Sequence, residues 1–426
     1  MARFLADWAR SRGIETRAID LRSRAESSDV PAGRAAFWAR IPGTGKAGGA
    51  IILLSHLDVV PVDPADTAGW GAIDPFGGVV MDGAVIGRGA LDAKGALVVH
   101  LAAALRLAAR ATPLGRDVIV LSTPDEELGG LNGAARLLRE QPELVAGAAY
   151  LLTIGGGITV GPSGVGEAPG LWEVGVAEKT PCWLELRARG TAGHAAGGSR
   201  DSAVDRLLGA LARVRSLPRP VRVVPEVATL FAALAPRASA EDRAGFADLE
   251  TALRDDAGFR QRFLADPARA ALVRNTFAIT TLRGSRQINV IPGEAAAGID
   301  ARLLPGESCA DFAEATRRAA NDPDIQVDVR FTFASRASPS ETPLMDAIRR
   351  VAARVDPGSL VVPRVGTGAS DAHWFREHGI VAYGFVPRRL RPVESRRIHG
   401  SGERISEANL QFGTDVLVSL LEELDR

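Results

Sequence analysis

A chain of 426 residues, 46% of them hydrophobic, is too long for one ordinary core and predicts two domains. Its 51 Lys and Arg balance 51 Asp and Glu, so it lacks the excess positive charge of a nucleic-acid binder. The opening MARFLADWARSRGI reads as an amphipathic helix and not as a signal peptide, and no apolar run reaches the ~20 residues that a membrane span needs. A cytoplasmic protein with no membrane or nucleic-acid partner is expected. Cys182 and Cys309 have neither metal-type spacing nor a disulfide framework, and are expected as reduced thiols.

From residue 49 to 153 the pattern alternates: strand GAIILLSH, helix GALVVHLAAALRLAARA, strand DVIVLSTP, helix GAARLLREQ, strand AAYLLT. Continuous apolar strands between helices predict an α/β fold with a mainly parallel sheet covered on both faces. After about residue 180 the strands CWLELRAR and FAITTLRG alternate polar and apolar, NVIPGEAAAGIDARLL reads as one long strand, and IQVDVRFTF as a last one. With the helices DSAVDRLLGALARV and CADFAEATRRAA they predict an α+β module, a lid or dimerisation domain, in which residues 222 to 274 form a helical insertion. Helix and strand alternate again from about Glu341. The predicted division is 1–180 with 336–426 as one domain and 181–335 as the other.

Four places put metal-type ligands at strand exits or in loops. SHLD supplies His56 with Asp58 two residues on, the spacing at which a carboxylate holds the second nitrogen of a ligating imidazole. GRGALDAKG delivers Asp92 just ahead of a helix. STPDEELGG gathers Asp125, Glu126 and Glu127 after a strand, where adjacent glutamates divide ligation from proton transfer if a cation is present. RIHGSGERI places His399 in a glycine-rich loop. Alone, His56 reads first as a structural histidine, Asp92 as a helix N-cap and the acidic triplet as a solvated turn. Together the four sites supply the N/O ligand set of catalytic zinc. GTGKAG matches G-x-G-x-x-G but precedes a strand, so it reads as a flexible hairpin. His100 and His378 read as a core and a helix-terminal residue, and no G-x-S-x-G elbow supports a serine hydrolase.

HLDVVPV, DPFGG, GRGALDAKG, the paired glutamates, GTAGHAA, NVIPGEAAAGIDARLLPG and the late H-G-x-x-E resemble, in order and over nearly the whole chain, the zinc exopeptidase and deacylase family. That family includes carboxypeptidase G, carboxypeptidase S, aminoacylase, acetylornithine deacetylase and succinyl-diaminopimelate desuccinylase. The helical insertion looks most like the carboxypeptidase S branch. The resemblance implies that His56 and a bridging Asp92 hold one metal, and Asp92, Glu127 and His399 the other. Asp58 would orient His56, Glu126 would act as the base, and the Asp92–Ala93 peptide would be cis. His194 would enter a partner subunit's active site in a homodimer, and Asn289 and Glu403 would line the substrate pocket.

Two positions depart from the family pattern. AAYLLTIGGG runs a buried strand into three glycines, and the side chain at that exit, usually an acid that completes the His56 metal site, is Ile154. In GASDAHWF, His373 stands where an arginine for the substrate carboxylate is usual. The expected activity is hydrolysis of an amide bond next to a free carboxylate, in a short peptide or an N-acyl amino acid. One zinc would be held tightly and the second weakly, with cobalt or manganese as substitutes. The alternative is a catalytically impaired homologue that binds or regulates.

Overall fold

The computed structural model describes residues 1–21, 34–63, 69–161, 169–199 and 201–426. Two compact units divide the chain: Met1–Val176 with Ser338–Arg364 and Ser370–Arg426, and Ala177–Ala337 with Val365–Ala369.

The first unit is α/β. Strand Ala50–His56 lies between Val118–Thr123 and Ala148–Thr153, and the latter pairs on with Val381–Gly384, all four parallel. Antiparallel strands Ala35–Ile41 and Glu15–Asp20 extend one side, and Leu171–Glu178 the other. The apolar runs are continuous because both faces are covered. Ile51 and Leu53 enter one core with helices Ala2–Arg10, Lys94–Ala108, Pro343–Val355 and Glu407–Leu424. Ile52 and Leu54 face the opposite way, into a core with Ala134–Glu140 and Ala372–Glu377. Parallel pairing brings the C-terminal strand ends to one edge, with His56 directly opposite Thr123. Open α/β sheets bind ligands at that edge.

The three glycines after Ile154 serve this sheet. Gly155 has φ +106°, and a Cβ on Gly156 would lie 2.2 Å from the Gly384 carbonyl oxygen and 2.3 Å from that of Glu173. The run lets the chain turn between backbones already in place. Ile154 packs against the buried Ala93, Ala96 and Val386.

The second unit is an antiparallel sheet in the order Thr276–Arg283, Glu294–Leu303, Thr180–Arg189, Ile325–Thr332. The expected single long strand is interrupted: Val290–Ile291 pairs instead with Gly193–His194. Helices Ala203–Arg215 and Cys309–Ala320 share a core with the sheet. Five helices between Pro225 and Leu272 gather around Phe231, Phe246, Phe259 and Phe263, with ring centroids of neighbouring pairs as close as 4.9 Å. The fully buried Lys179 ties this segment to the sheet, donating to the carbonyls of Ala271 (3.2 Å) and Arg274 (2.8 Å) and to Thr276 Oγ1 (3.1 Å). Burial pulls its ammonium down to about 8.

The expectation of reduced thiols is corrected here. Cys182, buried on its strand, and Cys309, at the first position of its helix, form a disulfide with Cα atoms 5.3 Å apart. Packing of the helix start onto the sheet opposes two residues 127 positions apart, which spacing in the sequence does not reveal. No helix among the described residues is long and apolar enough to cross a membrane.

Two outcomes test the fold. Gly156→Ala forces overpacking between backbones, a cost of ~1–3 kcal/mol, and scanning calorimetry should show melting lowered by several degrees. The chain denatured without reductant should show no thiol reactive toward Ellman's reagent, and two after reduction.

Candidate active site

His56 ends its strand and is 1% exposed. Its Nδ1 lies 2.9 Å from the Asp58 carbonyl oxygen and 3.6 Å from Asp58 Oδ1, so that nitrogen donates and Nε2 is directed toward Asp92 Oδ1, 3.0 Å away. Asp92 Oδ2 faces His399 Nε2 at 3.3 Å, and the same nitrogen is 3.3 Å from Glu127 Oε1. Each oxygen of one carboxylate thus serves a different imidazole. The Asp92–Ala93 peptide is cis. Donor atoms of His56, Asp92 and Glu127 all lie within 4.8 Å of one another.

The Glu126–Glu127 turn is built to aim these side chains. Asp125 adopts φ +74°, its Oδ2 accepts from the backbone (2.9 Å) and side chain (3.2 Å) of Asn132, and Gly129 and Gly130 donate back to the carbonyls of Glu126 and Asp125. Asp58 Oδ2 accepts from the Glu127 amide at 3.1 Å, which joins the SHLD exit to the turn. Glu126 Oε2 is 3.9 Å from His56 Nε2, while its buried Oε1 has no hydrogen-bond partner among the described residues. Burial, reinforced by the charges of Asp371, Asp92 and Glu127 and opposed by His56, pushes the Glu126 carboxyl well above its usual range. Carboxyls perturbed in this way cluster at functional sites.

Two expectations are corrected. Glu403 is fully buried, its carboxylate taken up by three backbone amides and one guanidinium, and so does not face a pocket. Its Oε1 accepts from the amides of Leu91 (2.8 Å) and Asp92 (3.0 Å), and its Oε2 from Gly89 (3.0 Å) and Arg88 Nη1 (2.8 Å). His373 is 1% exposed, with Nδ1 2.6 Å from the Ser370 carbonyl oxygen and its ring tilted against Trp374. Burial pulls it down to about 3, so it is neutral and offers a substrate carboxylate no positive charge. On the second unit, His194 and Asn289 are exposed neighbours, the Asn289 carbonyl accepting from Ala195 N at 3.0 Å.

The sequence reading missed Arg88, Arg388 and Asp371. Arg88 donates to Glu403 and to the carbonyls of His399 and Gly400, each at 3.1 Å, so one guanidinium spans the Asp92 and His399 loops. Arg388, buried, donates to the Leu91 carbonyl. Its charge helps to hold Asp92 below the usual carboxylate range, with the bonds to His399 and His56 stronger causes against the opposing effect of burial. Arg88 stands inside the GRGALDAKG motif, and once buried, its guanidinium requires acceptors opposite it.

A family model described as Peptidase family M20/M25/M40 matches residues 52–423. The chain belongs to that family. It is 26% identical over 383 residues to human N-fatty-acyl-amino acid synthase/hydrolase PM20D1, covering 88% of this chain and 74% of that protein. The probable carboxypeptidase S-like 2 of Dictyostelium discoideum is 26% identical over 379 residues, covering 88% and 72%. Among solved structures, the M20 family metallo-carboxypeptidase Sso-CP2 from Sulfolobus solfataricus superposes with a TM-score of 0.70 at 18% identity, over 100% of this chain and 93% of that one. Family membership makes the chain a hydrolase of amide or peptide bonds.

The donor set fits a metal ion: imidazole and carboxylate atoms converge, and without a cation the histidines hold protons instead. The hydrogen bonds to Asp92 and Glu127 raise His399 to about 10. Its folded value exceeds the unfolded 6.5, so in the metal-free protein this proton stabilises fully below about pH 6.5 and the contribution is lost as pH rises toward about 10. A metal must displace the same proton. Zinc affinity of the metal-free chain, measured by chelator competition, should therefore rise between pH 6.5 and 8.5 with proton release, and a flat profile would remove His399 from the ligand set.

Proposed function

We propose that the chain is a metal-dependent hydrolase of an amide bond next to a free carboxylate, in a short peptide or an N-acyl amino acid. The observation that carries it is Glu126, a buried carboxyl with a raised pKa and an oxygen without a partner, set beside the convergent donors of His56, Asp92, Glu127 and His399. The names of the relatives support the substrate class, one a fatty-acyl-amino acid hydrolase and one carboxypeptidase S-like. Asp92, Glu127 and His399 are the residues that would hold zinc, with cobalt or manganese as substitutes. When bound, the metal lowers the pKa of water and polarises the substrate carbonyl. Glu126 takes the proton from the attacking water and returns it to the leaving amine, for which its raised pKa suits it. Asp58 keeps the His56 tautomer fixed. His194, exposed on the second unit, is assigned to the oxyanion, contributed by the partner subunit of a homodimer.

Ile154 sets the strength of the second metal position, where His56 and a share of Asp92 are the remaining ligands. Its side chain is held by Ala93, Ala96 and Val386 and offers no donor atom. That feature favours the second reading, a homologue that binds substrate with little turnover. Elemental analysis after dialysis should give about one metal per chain, and Ile154→Glu should raise both metal content and turnover. Glu126→Gln should retain the metal and lower kcat by ~10²-fold or more, on a panel of dipeptides and N-acyl amino acids with zinc, cobalt or manganese. Ligand binding without turnover under every metal in the unaltered chain, with turnover gained in Ile154→Glu, would establish the second reading.

A further inference from the structure

Asp371 precedes helix Ala372–Glu377 at the N-cap position, yet its side chain makes no cap hydrogen bond to that helix. It is 3% exposed. Its Oδ2 accepts from Thr123 Oγ1 at 2.7 Å, while the buried Oδ1 has no hydrogen-bond partner among the described residues. Such burial opposes folding, and helix capping does not offset it. What Asp371 touches is the turn that carries Glu126 and Glu127. Thr123 is the last strand residue before that turn, and Gly130 closes it, with its Cα so near that an added Cβ would fall 2.0 Å from Asp371 Oδ1. From the same helix Trp374 Nε1 donates to the Gly129 carbonyl at 3.2 Å. The start and the end of the acidic turn are therefore both held by residues 371 to 374. Thr123 also faces His56 across the parallel pair, and its carbonyl accepts from Leu57 N at 2.8 Å, so its placement bears on the histidine exit as well.

We infer that Asp371 is a positioning residue that, through Thr123 and the Gly129–Gly130 backbone, fixes Glu126 and Glu127 relative to His56. The inference rests on the metallohydrolase reading for its catalytic consequence and on geometry alone for its effect on metal binding. Loss of outer-shell support of this kind lowers metal affinity or activity by roughly 10- to 100-fold. Zinc affinity of the dialysed full chain, measured by chelator competition, is the first readout. Asp371→Ala and Thr123→Val should each weaken binding by ~10-fold or more, and the double variant should be no worse than the weaker single, because both break one contact. Thr123→Ser keeps the hydroxyl and should bind like the unaltered chain.

Where turnover is measured, the same two variants reconstituted with saturating zinc should lower kcat with KM within about twofold, as expected when a base is displaced and substrate contacts are not. A merely structural Asp371 would lower the melting temperature and leave zinc affinity and kcat per folded chain unchanged. That result, or independent effects that add in the double variant, would overturn the inference. If the unaltered chain hydrolyses nothing, the functional reading falls and the zinc-affinity arm still decides this one.

Discussion

The ion pair between Arg88 and Glu403, 315 positions apart and buried, is the constraint on which the site depends. Its two ends belong to the loops that carry Asp92 and His399, and neither loop is regular secondary structure that would hold itself in place. Glu403 takes three amides, those of Leu91 and Asp92 on one oxygen and that of Gly89 on the other beside the guanidinium, while Arg88 also donates to the carbonyls of His399 and Gly400. Hydrogen bonds to charged groups contribute about 1.5–3 kcal/mol each, and a buried pair that loses one partner costs ~3–5 kcal/mol. The value of such a pair lies in specifying one arrangement more than in adding stability. Here the arrangement specified is the separation of Asp92 from His399, on which any shared ligand depends.

Placing acids at one sheet edge creates a second constraint. Asp58, Asp92, Glu126 and Glu127 crowd within a few residues of the strand ends, where each negative charge raises the cost of the next. His56, despite burial, is held well above its usual value by the bonds to Asp58 and Asp92. The Glu126 carboxyl is raised as well, by burial above all and by the charges of Asp371, Asp92 and Glu127, against the opposing effect of His56. Both shifts run in one direction, toward added positive charge among crowded carboxylates, which is the charge a bound cation would supply. Asp371, which burial pushes up to about 7, belongs to the same field although it touches the turn and not the ligands themselves.

The α/β character, the interruption by an antiparallel module and the strand-end positions of His56 and the acidic turn were legible because hydrophobic period and turn chemistry are local properties. What was not legible depends on pairing across the fold. The H-G-x-x-E motif drew attention to Glu403, but only the three-dimensional path shows that its partners are Arg88 and the amides of residues 89 to 92. His373 was read by position in a motif, and its burial at the start of a short helix was invisible to that reading. The disulfide escaped because loop-separated cysteines carry no spacing signal. Nor does the IGGG run itself reveal that the close approach of the Gly384 and Glu173 carbonyls requires glycine at 156.

Ile154 joins these threads. A side chain at that strand end has two calls on it, one from the ligand cluster beyond the edge and one from the base of helix Lys94–Ala108 below it. In this chain the second has won: Ile154 lies with Ala93 and Ala96, the residues that immediately follow Asp92 into the helix. A carboxylate there would bring a donor to the metal but would also place charge against buried methyl groups, a burial that is tolerable only while a cation neutralises it. An isoleucine needs no cation and supports the helix start whether or not metal is present. At this strand end the packing of the helix start is therefore independent of any cation, and the donor atoms that converge at the sheet edge come from His56, Asp92, Glu127 and His399 instead.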